Sequence, residues 1–316
     1  MSEARSAAAV GLVCTIVSVS LSAGRDLFFA HILHQVSMFS MILIAFGGSM
    51  LAFSIPHIIR PRKLLSNARN RRPDLIRINI TTAVMWLAFI YALKHIEPAV
   101  VVAINSAVIP IATLAFATLN GRNVESADLV SSAGIFLSVA LLAIVTITGV
   151  SGVGRLSATQ AVLGIVGALV SGVTTAWNNI IAKRLAEGGL NASTVMALRF
   201  PLLIVSCLAC IRLTDTPFAI GTGQLGAILL VALLLIVVPL YFLQLGIARS
   251  DVATTAVLIA IGPLITFLCQ QALGNYPFSV PSLAGILIAT MFVIYAIYEK
   301  FRAASELETT IMKVKS

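Results

Sequence analysis

The chain reads twice. Ala103, Ala107, Pro110, Thr113 and Gly121 follow the spacing A-x3-A-x2-P-x2-T-x7-G, and Ala256, Ala260, Pro263, Thr266 and Gly274 repeat it 153 residues later. The same shift carries Gly11, Val13, Val17, Ser18 and Ala23 onto Gly164, Val166, Val170, Ser171 and Ala176. Ala133-Gly134-Ile135 returns as Ala284-Gly285-Ile286 at a shift of 151. Any fold for this chain is therefore built from one pattern used two times. Both copies are almost wholly apolar. Two related membrane halves are expected to form a site between them and to expose it alternately.

Composition enters here because it fixes the solvent. Apolar residues make up 59% of the chain and charged residues 10%, against roughly 25% charged in soluble domains. A spanning helix needs about 20 apolar residues, so 316 residues leave room for about ten helices and short loops. The apolar runs place them at about 7–27, 36–58, 75–93, 98–119, 129–150, 159–182, 192–212, 223–246, 252–273 and 281–298. The first is read as a retained helix, because no cleavage site leads into a soluble chain.

Five spans lie on each side of a Gly/Ser joint, Gly149 to Ser157, and an odd number per half inverts the second half. The expected architecture is all-α and integral to the membrane, with ten transmembrane helices as two inverted five-helix repeats. Residues 1–150 form the first repeat, 151–298 the second, and 299–316 a cytoplasmic tail.

Loop charges give the orientation. One side holds sixteen Lys and Arg, including Arg60, Arg62, Lys63, Arg69, Arg71, Arg72, Arg77, Arg122, Lys183, Arg184 and Arg249. The other holds four: Arg25, Lys94, Arg155 and Arg212. The positive-inside rule then puts both termini in the cytoplasm. The cluster from Arg60 to Arg77 reads as this topology signal and as a contact for anionic lipid. It has no aromatic interleaving, which argues against nucleic acid despite the net charge of +9.

Ten helices in two halves resemble the EamA type of the drug/metabolite transporter superfamily. The residues that carry the likeness are Tyr91-Ala92-Leu93-Lys94-His95-Ile96-Glu97-Pro98-Ala99 followed by the helix to Pro110. Their counterparts are Leu245-Gly246-Ile247-Ala248, Asp251-Val252-Ala253 and the helix to Pro263. Lys183-Arg184-Leu185 and Arg199 are also typical; the first half's second helix has no arginine to match Arg199. The resemblance covers about residues 7 to 298. It implies a carrier of small organic solutes whose central cavity is lined by the first, third, fourth, sixth, eighth and ninth helices, with the fifth and tenth peripheral.

No H-E-x-x-H helix, G-x-S-x-G elbow or P-loop lysine occurs, so neither catalysis nor ATP hydrolysis is indicated. Neither a cofactor nor a metal is expected. His31 and His34 share a helical face but have no carboxylate beside them. Cys14, Cys207, Cys210 and Cys269 lie in apolar runs and read as packed thiols, Cys207-x-x-Cys210 included.

Polar residues inside spans are costly unless they face protein or water. Trp86, Tyr91, Asn105, Trp177, Asn178, Tyr241 and Gln244 are the candidates for solute binding: rings for an apolar part, amides for a polar head. Trp86 and Tyr91 are expected to face Trp177 and Tyr241 across the cavity. Trp177 also suits an interfacial belt, and Asn105 an interhelical hydrogen bond. Asn178 and Asn179, being adjacent, are not expected to face inward together. Gln270 and Gln271 are expected near the outer interface.

Arg25 and Asp26 fall at the outer end of the first span, where they form an interfacial pair, or Asp26 carries a coupling proton and Arg25 meets a solute carboxylate. Arg199 is expected to snorkel to the cytoplasmic surface, with solute binding as the alternative. Pro110 and Pro263 each free one helical carbonyl, as hinges or as static kinks.

The reading is an inner-membrane carrier that exports an amino acid or similar amphipathic compound, with protons as the coupling ion, as a monomer or homodimer. The rival reading is uptake of a vitamin or nucleotide-like solute.

Overall fold

The structure, a computed structural model, describes residues 2–58, 71–121, 123–154, 156–190, 192–214, 220–249 and 252–315. Among them every regular element is a helix. The helices are α1 (Ser2–Ile32), α2 (Met38–Ile58), α3 (Arg72–His95), α4 (Pro98–Leu119), α5 (Ser126–Ile147) and α6 (Ala158–Glu187). They continue as α7 (Ala192–Leu198), α8 (Pro201–Leu213), α9 (Thr222–Ala232), α10 (Val238–Arg249), α11 (Val252–Ala260), α12 (Gly262–Ala272) and α13 (Val280–Lys315). A π-helical turn, Leu233–Val237, joins α9 to α10.

Proline and capping chemistry sets the ends. α3 stops where Ile96 and Glu97 turn extended ahead of Pro98, which opens α4 at its first position. α6 opens on a capping box: the Ser157 hydroxyl accepts from the Gln160 N–H at 3.2 Å, and the Gln160 side chain accepts from the Ser157 N–H at 3.4 Å.

Nine helical stretches among the described residues are long and apolar enough to cross a membrane. The ninth expected span, split into α11 and α12, is not among them. The two prolines thus behave differently. Pro110 sits inside the unbroken α4, whereas Pro263 stands in the first turn of α12, after the break. The residue before each proline explains the difference. Ile109 is tolerated in a helix interior, but Gly262 costs about 1 kcal/mol there, on top of the donor that Pro263 lacks. The repeated threonine also has a role. Thr113 Oγ1 donates to the Ile109 carbonyl at 2.8 Å, and Thr266 Oγ1 to the Gly262 carbonyl at 3.1 Å. Such back-bonding bends helices.

Two further ends differ from expectation. α1 continues to Ile32, so Arg25 and Asp26 lie well inside it rather than at its end. The seventh span breaks at Arg199 and Phe200, ahead of Pro201. Residues 299–315 continue α13 as helix.

Packing follows the small residues, as it must where lipid removes the hydrophobic drive between helices. α3 packs most extensively on α6, and α1 on α10; α4 also lies on α6, and α12 on both α4 and α1. α5 packs against α13, and α2 against α7, α8 and α9. The repeated Ala-Gly-Ile explains the α5–α13 crossing. A side chain at Gly134 would collide with the Phe292 ring, and one at Gly285 would meet Leu142 at 2.5 Å. Each helix thus presents a notch to a large residue of the other. One apolar core runs through the bundle, with Phe29, Phe46, Ile90, Ile104, Phe200 and Phe267 fully buried. Phe136, Leu137, Leu230 and Met291 point outward instead.

Candidate functional site

A cavity of about 240 Å³ lies among α1, α3, α4, α6 and the α7–α8 break. Its apolar wall comes from α3, as Met85, Trp86 and Phe89. Trp86 packs against Phe46 (centroids 4.5 Å apart) and edge-on to Phe89 (5.8 Å), with the Arg25 guanidinium 5.2 Å from its ring centre. The Asp26 carboxylate, 4% exposed, holds Arg25 at 2.8 Å. This pair is internal, which corrects the expectation of an interfacial one.

The polar wall comes from α4 and α6. Asn105 Nδ2 donates to Ser171 Oγ at 2.8 Å and so bridges the two helices at the cavity's edge. Gly172, beside Ser171, permits that approach: a Cβ there would stand 2.8 Å from the Asn105 carbonyl. Asn178 is buried and donates to Thr81 Oγ1 at 2.9 Å and Thr82 Oγ1 at 2.8 Å. Its neighbour Asn179 is exposed yet also borders the cavity. Two adjacent residues, 100° apart on the helix, can flank one opening, so the expectation that only one faces inward was too strict.

Arg199 does not snorkel. Its guanidinium donates to Asn178 Oδ1 at 2.7 Å, to Thr82 Oγ1 at 3.2 Å and to Met196 Sδ at 3.4 Å. The helix break at this point turns the side chain inward instead of along the surface. Asn79 of α3 satisfies the broken backbone: its Nδ2 donates to the Leu198 carbonyl at 2.8 Å, and its Oδ1 accepts from the Leu202 N–H at 3.2 Å. Asn79, Thr81 and Thr82 were not singled out in the sequence. Their signal was a run of polar groups in an apolar span, Asn79 to Thr82.

The other aromatic candidates do not come to this cavity. Tyr91 stacks on His95 with centroids 4.5 Å apart; five positions past Trp86, it points about 140° round the helix. Trp177 is 45% exposed and lies against Phe116. Tyr241 is 63% exposed, beside Phe242. The expected four-ring box is therefore not assembled. The Gln244 side chain lies outside the described residues, as do Arg60, Arg62, Lys63, Arg69 and Arg122.

A second polar centre was missed. Glu97, fully buried, precedes α4 and accepts three hydrogen bonds. The donors are the Gly152 N–H at 2.9 Å, Ser282 Oγ at 2.8 Å and Gln270 Nε2 at 2.5 Å. Gln270 Oε1 in turn accepts from the Ala99 N–H at 3.4 Å, within the first turn of α4. Gln270 is thus buried in this network rather than loosely interfacial. The knot ties α4 to the 149–157 joint, α12 and α13. Tyr276 lies beside it in the loop before α13. Burial, and after it the Glu97 charge, pushes the Tyr276 hydroxyl above its usual pKa and keeps it protonated. His31, His34, Gln270 and Tyr276 border a second cavity of about 250 Å³.

Apolar helices enclosing buried amides and charges define a multi-pass membrane protein. Residues 9–144 match the EamA-like transporter family. Over that stretch the chain is similar to the EamA-like transporter family, and the likeness stops short of the second half. No curated protein matches it. A solved structure titled only "Crystal structure of protein" superposes with a TM-score of 0.60 at 18% identity, over 96% of this chain and 99% of that one. At that identity it speaks to the fold alone.

Proposed function

We propose that this protein is an EamA-type secondary carrier that exports a small amphipathic metabolite, an amino acid or a related compound, across the inner membrane by alternating access. The observation that carries this reading is the cavity itself. Trp86 and Phe89 supply an apolar wall, and Asn105, Asn178 and Arg199 supply donors, inside a bundle whose outer faces are apolar. A volume of about 240 Å³ falls just under the usual range of about 300–1,000 Å³ for drug-sized ligands and suits a metabolite.

The chain is read as ten spans in two inverted five-helix repeats, residues 1–150 and 151–298, with both termini cytoplasmic. Its packing supports this, because the pattern maps onto itself. α3 on α6 corresponds to α10 on α1, and α4 on α6 to α12 on α1; α4–α12, α5–α13 and α2 with α7–α8 are pairs of counterparts. Arg71, at the start of α3, stands beside Gly188 at the end of α6, so these basic ends share one side of the bundle. The Glu97 knot seals the opposite end and must part for the cavity to open there.

Asp26 is the proton carrier in this scheme, and Pro263, at the split between α11 and α12, is the hinge, with Pro110 its stiffer counterpart. Counterflow tests the reading. The purified chain in proteoliposomes preloaded with a pooled metabolite library should exchange labelled solute; no exchange of any pooled compound refutes it.

A further inference from the structure

The charges around the cavity do not balance. Ion pairs among the described residues include Arg25–Asp26, Arg77–Asp74 and Lys183–Glu187. Arg25 and Asp26 cancel. Among the described residues Arg199 has only neutral partners, an amide oxygen, a hydroxyl, a thioether and the Phe200 ring, whose centre lies 5.6 Å from the guanidinium carbon. The cavity therefore holds one uncompensated positive charge within a membrane span. A charge placed there is expensive unless something answers it. Water entering through the cavity's mouth answers part of it in the open state, but occlusion of a solute excludes that water.

We propose that the solute supplies the missing counter-charge: it presents a carboxylate to Arg199, and compounds with one net negative charge bind ahead of zwitterionic, neutral or cationic ones of the same shape. This rests on the carrier reading above and, within it, favours related carboxylates of one net negative charge over zwitterionic amino acids. The geometry is suited to it. Arg199 Nη2 and Nε are held by Asn178 and Thr82, which fixes the plane of the guanidinium. Nη1 meets only the soft Met196 sulfur at 3.4 Å, a weak acceptor that a carboxylate oxygen displaces readily. Asn105 and Asn179 border the same space and can donate to the second carboxylate oxygen. Across the cavity, Trp86 and Phe89 face the remainder of the molecule. A single carboxylate neutralises the site, whereas a phosphate dianion reverses its sign.

The test uses five probes that share a phenyl group: phenylacetate, phenylalanine, phenylacetamide, phenethylamine and, as a dianion, phenyl phosphate. Binding to the full-length protein in detergent is followed by intrinsic fluorescence, and exchange by counterflow in proteoliposomes. Phenylacetate should bind about ten- to a hundredfold more tightly than phenylacetamide, the weight of a charge-assisted hydrogen bond. Arg199→Gln should abolish that preference, and Arg199→Lys should keep part of it. The wild-type comparison stands even if a variant fails to fold. Equal binding of phenylacetate and phenylacetamide, or a preference that survives in Arg199→Gln, overturns the inference. Exchange of the amide or the amine without any preference for the acid does so while leaving the carrier reading intact. Absence of exchange by every probe and by the pooled library removes both.

Discussion

Replacing Glu97 should loosen the protein at one end of the bundle, and the size of the effect follows from its partners. The carboxylate is fully buried, and three donors converge on it from positions 152, 270 and 282. Glu97→Ala strands all three. Each stranded buried donor costs about 1–3 kcal/mol, and losing the carboxylate's own desolvation penalty returns part of that, so a net loss of about 2–5 kcal/mol is expected. At about 2 °C per kcal/mol for a chain of this size, the melting temperature in detergent should fall by roughly 4–10 °C. Glu97→Gln is the sharper perturbation. A carboxylate is acceptor-only and meets three donors with two oxygens, whereas glutamine turns an NH2 group toward at least one of them. It should cost about 1–3 kcal/mol despite being the same size. Melting is read by fluorescence or by thiol accessibility of Cys14 and Cys207, both buried. If Glu97→Gln melts with the parent, the account of an acceptor-only knot is wrong.

The cavity's aromatic wall gives a second expectation: Trp86→Ala should raise the half-saturation concentration several-fold to about tenfold, while Trp177→Ala, whose ring lies outside the cavity, should leave it unchanged; the reverse pattern in transport assays would relocate the pocket. Pro263→Ala restores the donor missing at the α11–α12 break and should slow counterflow without lowering insertion, whereas parent-rate counterflow in that variant excludes the hinge. Asp26→Asn leaves Arg25 without its partner and should abolish uptake driven by a pH gradient while sparing solute-for-solute exchange; undiminished pH-driven transport excludes the proton role. Single cysteines at the exposed Asn120 and Asn275 should react with an impermeant thiol reagent from opposite sides of the membrane, and labelling from the same side sinks the ten-span arrangement.

How much of this was legible in the sequence depends on the distance over which each signal acts. Helix existence is local: apolar runs about 20 residues long, and prolines at 98 and 201, nearly fix the ends of α4 and α8. The α5–α13 contact is long-range and was not read from the sequence, although its glycine notch, used twice, leaves the same three letters at 133 and 284. Where the repeat is imperfect, the reading went astray. Matched prolines suggested matched kinks, but Gly262 stands where the first copy has Ile109, and only one helix breaks. Arg25 and Asp26 were placed at a helix end because charge usually terminates an apolar run. Their mutual pairing at 2.8 Å instead allowed α1 to continue past them.

The polar interior was less legible because partnership, not identity, decides what a buried polar residue does. Trp86 and Tyr91 look equivalent in the sequence, but a helix separates them by about 140° and gives them different neighbours. Glu97 looked like a loop residue between Ile96 and Pro98. What makes it a structural centre is a set of donors 55, 173 and 185 positions away, none of which has a spacing that points back to it. Arg199 was the converse case. A lone arginine near a helix end ordinarily reaches for water, and it turns inward only because Asn79 satisfies the break on which it sits and Asn178 meets it there. Holding a cation at that depth among neutral partners is costly, and an opposite charge brought to the site would lower that cost. The same constraint that defeated the sequence reading of Arg199 is therefore the one that now restricts the chemistry of the solute.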